Sequence, residues 1–350
     1  MILLEAKRFG KRYRKRVAVS NVDLEVAKGE IFGLIGPDGA GKSSLMKAAA
    51  GVLSYEEGEI RIFGVPVDSE ANAERVKAHI GFMPQGLGLN LYPELSVEEN
   101  IDFFARLREV PPAELARRKG RLLEATRLAP FRQRAMKNLS GGMKQKLGLI
   151  CTLIHQPDLV ILDEPTTGVD PLSRRDFWAI LTELLRDREI TALVSTAYLD
   201  EASRFHHLAL MHQGSVLDRG TPEQILARVP GVVVSFLSDQ VEPAVARLRQ
   251  RFGQVESYGD RVRLFLPGMA ESEGRAAVRE ALGDLAPRNL ELLEPELEDA
   301  FIQLLQRAPD GAAGPGSAST GDPGSSPANG LARMFHEADP EVADPAFSPF

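Results

Sequence analysis

The stretch Gly36-Pro37-Asp38-Gly39-Ala40-Gly41-Lys42-Ser43 constrains this chain more than any other segment. It fits the pattern Gly, four residues, Gly-Lys-Ser. It follows the apolar run Ile31-Phe32-Gly33-Leu34-Ile35, and Ser43-Ser44-Leu45-Met46-Lys47-Ala48 begins a helical run behind it. A strand, a glycine-rich loop and a helix in that order cradle phosphate for physical reasons. Glycines at 36, 39 and 41 let the backbone turn tightly, so that its N–H groups point at phosphate oxygens. The helix behind adds the positive end of its dipole. Lys42 is a point charge for the terminal phosphates, and the Ser43 hydroxyl is placed to ligate magnesium. With Pro37, Asp38, Ala40 and Ser44, these residues form the candidate site for a nucleoside triphosphate.

A second run, Leu159-Val160-Ile161-Leu162, ends in Asp163-Glu164. Asp163 would hold the same ion, directly or through water. Glu164 would orient or deprotonate an attacking water, and a well-placed general base contributes roughly 10²–10⁴-fold. Taken alone, Asp163-Glu164-Pro165 would be a turn closing a buried strand. The glycine-rich loop upstream makes the catalytic reading the stronger one.

Between these stretches lie Gln85 and Leu139-Ser140-Gly141-Gly142, and beyond them Val169-Asp170. That order resembles the nucleotide-binding domain of ATP-binding cassette (ABC) proteins, of the daunorubicin-resistance or multidrug export type, over residues 1–228. The resemblance implies an α/β P-loop fold with a helical subdomain at 86–138, and ATP with Mg²⁺ as ligands. It implies that Tyr13 stacks on adenine, where the sequence alone would allow an edge-strand tyrosine. It implies that Gln85 contacts magnesium and couples the core to the helical subdomain. Ser140, Gly141 and Gly142 would bind the γ-phosphate held by an opposite protomer, and Asp170 would lie at that interface. Such proteins act as head-to-tail homo- or heterodimers beneath membrane-spanning subunits. Three positions depart from the family pattern: Asp38 for Asn, Met143 for Gln, and Ala197 for the histidine that contacts the γ-phosphate. In Thr196-Ala197-Tyr198-Leu199-Asp200-Glu201-Ala202 the next histidines are His206 and His207, in a helix-like stretch. Loss of one preorganised donor typically costs about 10²–10³ in rate, so a slow site is expected.

Composition bounds the remaining possibilities. A net charge of −7 argues against nucleic acid as a partner. The seven Lys and Arg residues between Lys7 and Arg16 are read as a solvated hairpin beside the nucleotide. The single cysteine, Cys151, excludes an internal disulfide, suits a reducing compartment, and sits in an apolar run as a core residue. No apolar run approaches the ~18 residues that span a bilayer. The expected location is therefore cytoplasmic, on the inner face of the membrane, with the spanning parts on other chains.

The periodicity past 228 predicts a small α+β accessory domain over 229–307, in the order βαββαβ-α and ferredoxin-like, with a regulatory or dimer-supporting role. Residues 308–350 read as a flexible tail or linker, with a short docking motif or a missing second half as alternatives. The leading functional reading is an ATP-hydrolysing subunit that powers an exporter. The alternative is a nucleotide-gated regulatory or structural subunit whose degenerate site pairs with a complete ATPase. A cassette protein of translation or DNA repair would need two cassettes or a long coiled coil.

Overall fold

In a computed structural model of the chain, the described residues are 1–86, 88, 90–186 and 189–307. The tail at 308–350 lies outside them. The described chain falls into two compact units, essentially residues 1–225 and 226–303.

The first unit contains ten strands: β1 (Ile2–Tyr13), β2 (Arg16–Ala27), β3 (Ile31–Ile35), β4 (Glu57–Ile62), β5 (Val65–Pro66), β6 (Ile80–Met83), β7 (Leu159–Leu162), β8 (Thr191–Thr196), β9 (His207–His212) and β10 (Ser215–Gly220). Its helices are α1 (Lys42–Ala49), α2 (Glu70–Lys77), α3 (Val97–Leu107), α4 (Pro112–Ala125), α5 (Gly141–Leu153), α6 (Pro171–Arg186) and, at the unit boundary, α7 (Pro222–Ala227). Six strands form one sheet in the order β10-β9-β3-β8-β7-β6, parallel except for β10 at its edge. Every residue of β3, β7 and β8 is buried, which is why β3 and β7 read as unbroken apolar runs rather than alternating ones. Parallel pairing brings Ile35, Met83, Leu162 and Thr196 to one edge, and the loops after them share that edge.

A separate antiparallel sheet runs β2-β1-β4-β5. Here the sequence reading of Lys7–Arg16 as a solvated hairpin holds for six of its seven cations, which are exposed, and fails at Phe9, Gly10 and Lys11, which are buried. The turn is at Arg14-Lys15, but β1 lies between β2 and β4 and turns alternate residues into the core. Phe9 is fully buried against Tyr55, and Lys11 is buried with its ammonium 2.6 Å from Glu56.

In the helical segment, Ser96 and Glu99 close a reciprocal cap at the start of α3. The Glu99 N–H donates to Ser96 Oγ at 3.2 Å, and the Ser96 N–H to Glu99 Oε2 at 2.8 Å. Glu98 then binds both Arg132 and Lys119, at 2.7 and 2.8 Å. Those two cations hold its carboxyl down at about 2.

The second unit contains β11 (Gly231–Leu237), α8 (Val241–Arg249), β12 (Val255–Tyr258), β13 (Arg261–Pro267), α9 (Glu271–Leu282), β14 (Arg288–Leu293) and α10 (Leu297–Arg307). Its sheet order β12-β13-β11-β14, with every neighbour antiparallel, is the split βαβ arrangement of ferredoxin-like folds. Val232, Val234 and Phe236 pack with Leu248, Val278 and Leu282 of the two crossover helices. A two-pronged Arg263–Asp299 pair, at 2.7 and 2.8 Å, ties α10 to β13.

Candidate functional site

The glycine-rich loop begins where β3 reaches the carboxyl edge. The Gly36 N–H donates to Thr196 O at 3.2 Å, fixing the loop to the end of β8. A Cβ at Gly36 would stand 2.2 Å from the Met211 carbonyl oxygen, and Gly41 has φ +100° with the Ala18 carbonyl oxygen 2.6 Å from such a Cβ, so neither position admits a side chain. Lys42 folds back across the loop. Its ammonium donates to Gly36 O at 2.7 Å and Pro37 O at 3.0 Å, and it lies 3.0 Å from Glu164 Oε1. Lys42 and Glu164 are each only 3% exposed.

Around that pair the carboxyl ends of β6, β7 and β8 deliver the rest of the cluster. Asp163 is fully buried, and its Oδ1 accepts from Ser43 at 3.1 Å and from Ser195 at 2.7 Å. Ser195 Oγ also accepts the Glu164 backbone N–H at 2.9 Å, so one hydroxyl fixes both the Asp163 carboxylate and the backbone at Glu164. Glu164 has φ 48°, a left-handed conformation that costs a non-glycine residue about 1 kcal/mol. Its Oε2 accepts from Gln85 at 2.9 Å and Thr167 at 3.1 Å. Burial raises the Asp163 pKa, and the neighbouring Glu164 charge pushes it the same way; the hydrogen bonds from Ser195 and Ser43 and the charge of Lys42 oppose the rise.

Asp163 Oδ2 has no hydrogen-bond partner among the described residues. A buried carboxylate oxygen left open beside the Ser43 hydroxyl suits a hard divalent cation. The described residues include no group of three or more His, Cys, Asp or Glu able to hold an ion alone, so a cation here would draw its other ligands from phosphate and water. Lys42, Ser43, Gln85, Asp163 and Glu164, singled out in the sequence, are thus brought together. Ser195 and Thr167 were missed. The available signal for Ser195 was a hydroxyl next to the carboxyl end of a buried strand, directly after Ala192-Leu193-Val194.

The other sequence candidates lie around this cluster. Tyr13 is 42% exposed, with its hydroxyl 3.3 Å from Ser44 Oγ. Asp38 is exposed on the loop. Ser140, also exposed, caps α5 by accepting the Met143 N–H at 3.4 Å. A Cβ at Gly142 would stand 2.7 Å from the Ser173 Cβ, so this glycine lets α5 approach α6. Asp170 is exposed and accepts from the Ser173 hydroxyl and, at 2.9 Å, from the Ser173 N–H, and these bonds lower its pKa, the hydroxyl most.

Ala197 follows β8 directly. Its neighbours are committed elsewhere: Thr196 Oγ1 accepts the Tyr198 N–H at 3.0 Å, and the Tyr198 ring lies 4.4 Å from the Arg174 guanidinium. The helix-like placement of His206 and His207 was wrong. The 3-10 turn ends at Arg204, and His207 opens β9 at the amino edge of the sheet. There His206 Nδ1 accepts the Ile31 N–H at 2.9 Å, and His207 Nδ1 bonds Glu30 at 2.9 Å. Both rings are a full strand away from the glycine-rich loop.

A family model described as "ABC transporter" matches residues 19–167. The Nod factor export ATP-binding protein I of Cupriavidus metallidurans is 33% identical over 311 residues, covering 87% of this chain and 98% of that protein. The chain belongs to the ABC transporter ATPase family. A second family member, the probable multidrug ABC transporter ATP-binding protein YbhF of Escherichia coli, is 39% identical over 294 residues, 82% of this chain and 49% of that protein. The chain thus spans about half the length of this relative. Among solved ABC cassettes, CbiO1 of Clostridium perfringens, described as part of the ABC transporter complex CbiONQ, superposes with a TM-score of 0.60 at 25% identity, over 65% of this chain and 91% of that one. As an ABC ATPase the chain is a nucleotide-binding protein, and among its described residues no helix is long and apolar enough to cross a membrane.

Proposed function

We propose that the chain is the ATP-hydrolysing subunit of an exporter, working as a dimer beneath separate membrane-spanning subunits. One observation carries the reading. Lys42, Ser43, Gln85, Asp163 and Glu164 converge at the carboxyl edge of a parallel sheet, with one buried carboxylate oxygen left open. In this reading residues 36–44 hold the phosphate chain and Tyr13 meets the base. A phosphate group on the loop draws Lys42 away from Glu164. Glu164, held through its other oxygen by Gln85 and Thr167, then accepts a proton from the water that attacks the γ-phosphorus, leaving ADP and phosphate. Magnesium, held by Ser43 and Asp163, would supply charge neutralisation at the phosphate oxygens. Ser140, Gly141 and Gly142 serve the partner's nucleotide, and Asp170 meets the partner; the helical segment 86–138 meets the membrane subunits. The ABC export proteins among its relatives support the transport assignment. The regulatory-subunit alternative rests on Ala197 alone.

The decisive experiment is Glu164→Gln with Mg·ATP on a sizing column. The variant is expected to bind ATP, hydrolyse it at least about 10²-fold more slowly, and accumulate as a dimer. A variant that stays monomeric and turns ATP over at the parent's rate would remove Glu164 from the chemistry.

A further inference from the structure

We propose that Arg16 is a second cation of the nucleotide site, reaching the phosphate chain from the β1–β2 hairpin. The proposal rests on the reading of residues 36–44 as the nucleotide loop, and adds to it a residue outside the loop and its strand.

The hairpin is fixed hard against the loop. Ala18 O and Val19 Cγ2 lie 2.6 and 2.8 Å from where a Cβ on Gly41 would stand. The Ser20 N–H donates to Gly214 O at 2.9 Å and the Gly214 N–H to Ala40 O at 3.1 Å, stitching β2 to the loop through a third segment. Residues just before Ala18 are therefore carried over the loop. Arg16 Nη2 lies 3.6 Å from the position of a Cβ on Gly39, the nearest atom to that point apart from the loop's own neighbours. Its cross-strand partner is Tyr13, whose hydroxyl is 3.3 Å from Ser44 Oγ. Tyr13 and Arg16 thus stand side by side, Arg16 near the middle of the loop and Tyr13 at its end.

Charge separates Arg16 from its neighbours. Lys11 and Arg12 already have acids, Glu56 at 2.6 Å and Glu57 at 3.5 Å. Arg16 is exposed and has no hydrogen bond or ion pair among the described residues. A guanidinium so placed can take two phosphate oxygens at once, with the short bonds typical of charged pairs. It also offsets the negative charge that Asp38 adds to the loop.

The test uses the full chain and three probes: Mg·ATP, Mg·ADP and inorganic tripolyphosphate as a competitor. Arg16→Ala is expected to weaken ATP and tripolyphosphate alike by about five- to tenfold, with an effect that shrinks as salt rises. Arg16→Lys should recover part of the loss, since it keeps the charge without the fork. Tyr13→Ala should show the opposite split, weakening ATP while leaving tripolyphosphate competition unchanged. Melting curves of the nucleotide-free variants should match the parent, because the side chain is exposed. ATP affinity of Arg16→Ala within about twofold of the parent would overturn the proposal, as would a loss matched by a lowered melting temperature and absent for tripolyphosphate. Lys42→Ala separates the two levels. If it still binds ATP, the nucleotide-loop reading fails. If it loses ATP while Arg16→Ala does not, only the role of Arg16 fails.

Discussion

The two edges of the parallel sheet are both lined with buried polar groups, yet they end differently. At the amino edge, Glu30 accepts from the Ala27 N–H with one oxygen and pairs with His207 through the other. Thr191 accepts from the Gly29 N–H, and His206 from the Ile31 N–H. Each of these contacts is closed within the chain. At the carboxyl edge Lys42 leans on two carbonyl oxygens and Glu164, while Asp163 Oδ2 has no partner among the described residues. A buried oxygen left open costs about 1–3 kcal/mol unless something else completes it. The contrast teaches that burial of charge marks both edges, and incompleteness marks the one proposed to meet nucleotide.

The largest effect belongs to Lys42→Ala. It should lower ATP affinity by about 10²–10³-fold, the worth of two charge-assisted contacts to phosphate. Calorimetric titration showing unchanged affinity would erase the distinction between the edges. Ala197→His comes next: a donor placed after β8 should raise steady-state hydrolysis by about tenfold or more. No gain in turnover would show that the carboxyl edge does not lack a donor at this position. Glu30→Ala tests the other edge. It strands the Ala27 N–H, so stability should fall by about 1–3 kcal/mol in denaturant titrations while ATP affinity stays at the parent's value. A shift in affinity would mean that the two edges communicate.

Smallest is Glu98→Gln, remote from both edges. Because Arg132 and Lys119 hold the Glu98 carboxyl at about 2, below the ordinary 4.5, its contribution is present above about pH 4.5 and lost as pH falls toward 2. The variant should be about 1 kcal/mol less stable at neutral pH, and indistinguishable from the parent near the acid end. A pH-independent difference would assign the loss to packing instead.

What the sequence made legible was local. The glycine-rich loop announces itself because its geometry needs particular residues at fixed spacing, and β3 and β7 because strands buried on both faces need unbroken apolar runs. Ser96 and Glu99 marked the start of α3 because a cap is a contact three residues long. What stayed hidden depends on partners distant in sequence. The burial of Phe9, Gly10 and Lys11 inside the charged run Lys7–Arg16 stayed hidden because β4, which pairs with β1, begins more than forty residues later. His206 and His207 looked helical because the turn at Leu199–Arg204 ends just short of them. Ser195 carries no periodic signal at all: its importance comes only from Asp163 and Glu164 arriving beside it.

The close seat of Gly142 on Ser173 has a consequence for anything that docks on this side of the protein. Ser173 also holds Asp170, and an ion pair between Lys146 and Asp176 clasps the same two helices further along. In the proposed dimer Ser140 and Asp170 would therefore meet the partner as a bivalent pair at a preset interval. A visiting surface that engages one finds the other at high effective concentration, and one that fits only one of them forgoes that avidity. A single added methyl at position 142 would alter the interval itself, leaving both side chains chemically intact but wrongly spaced.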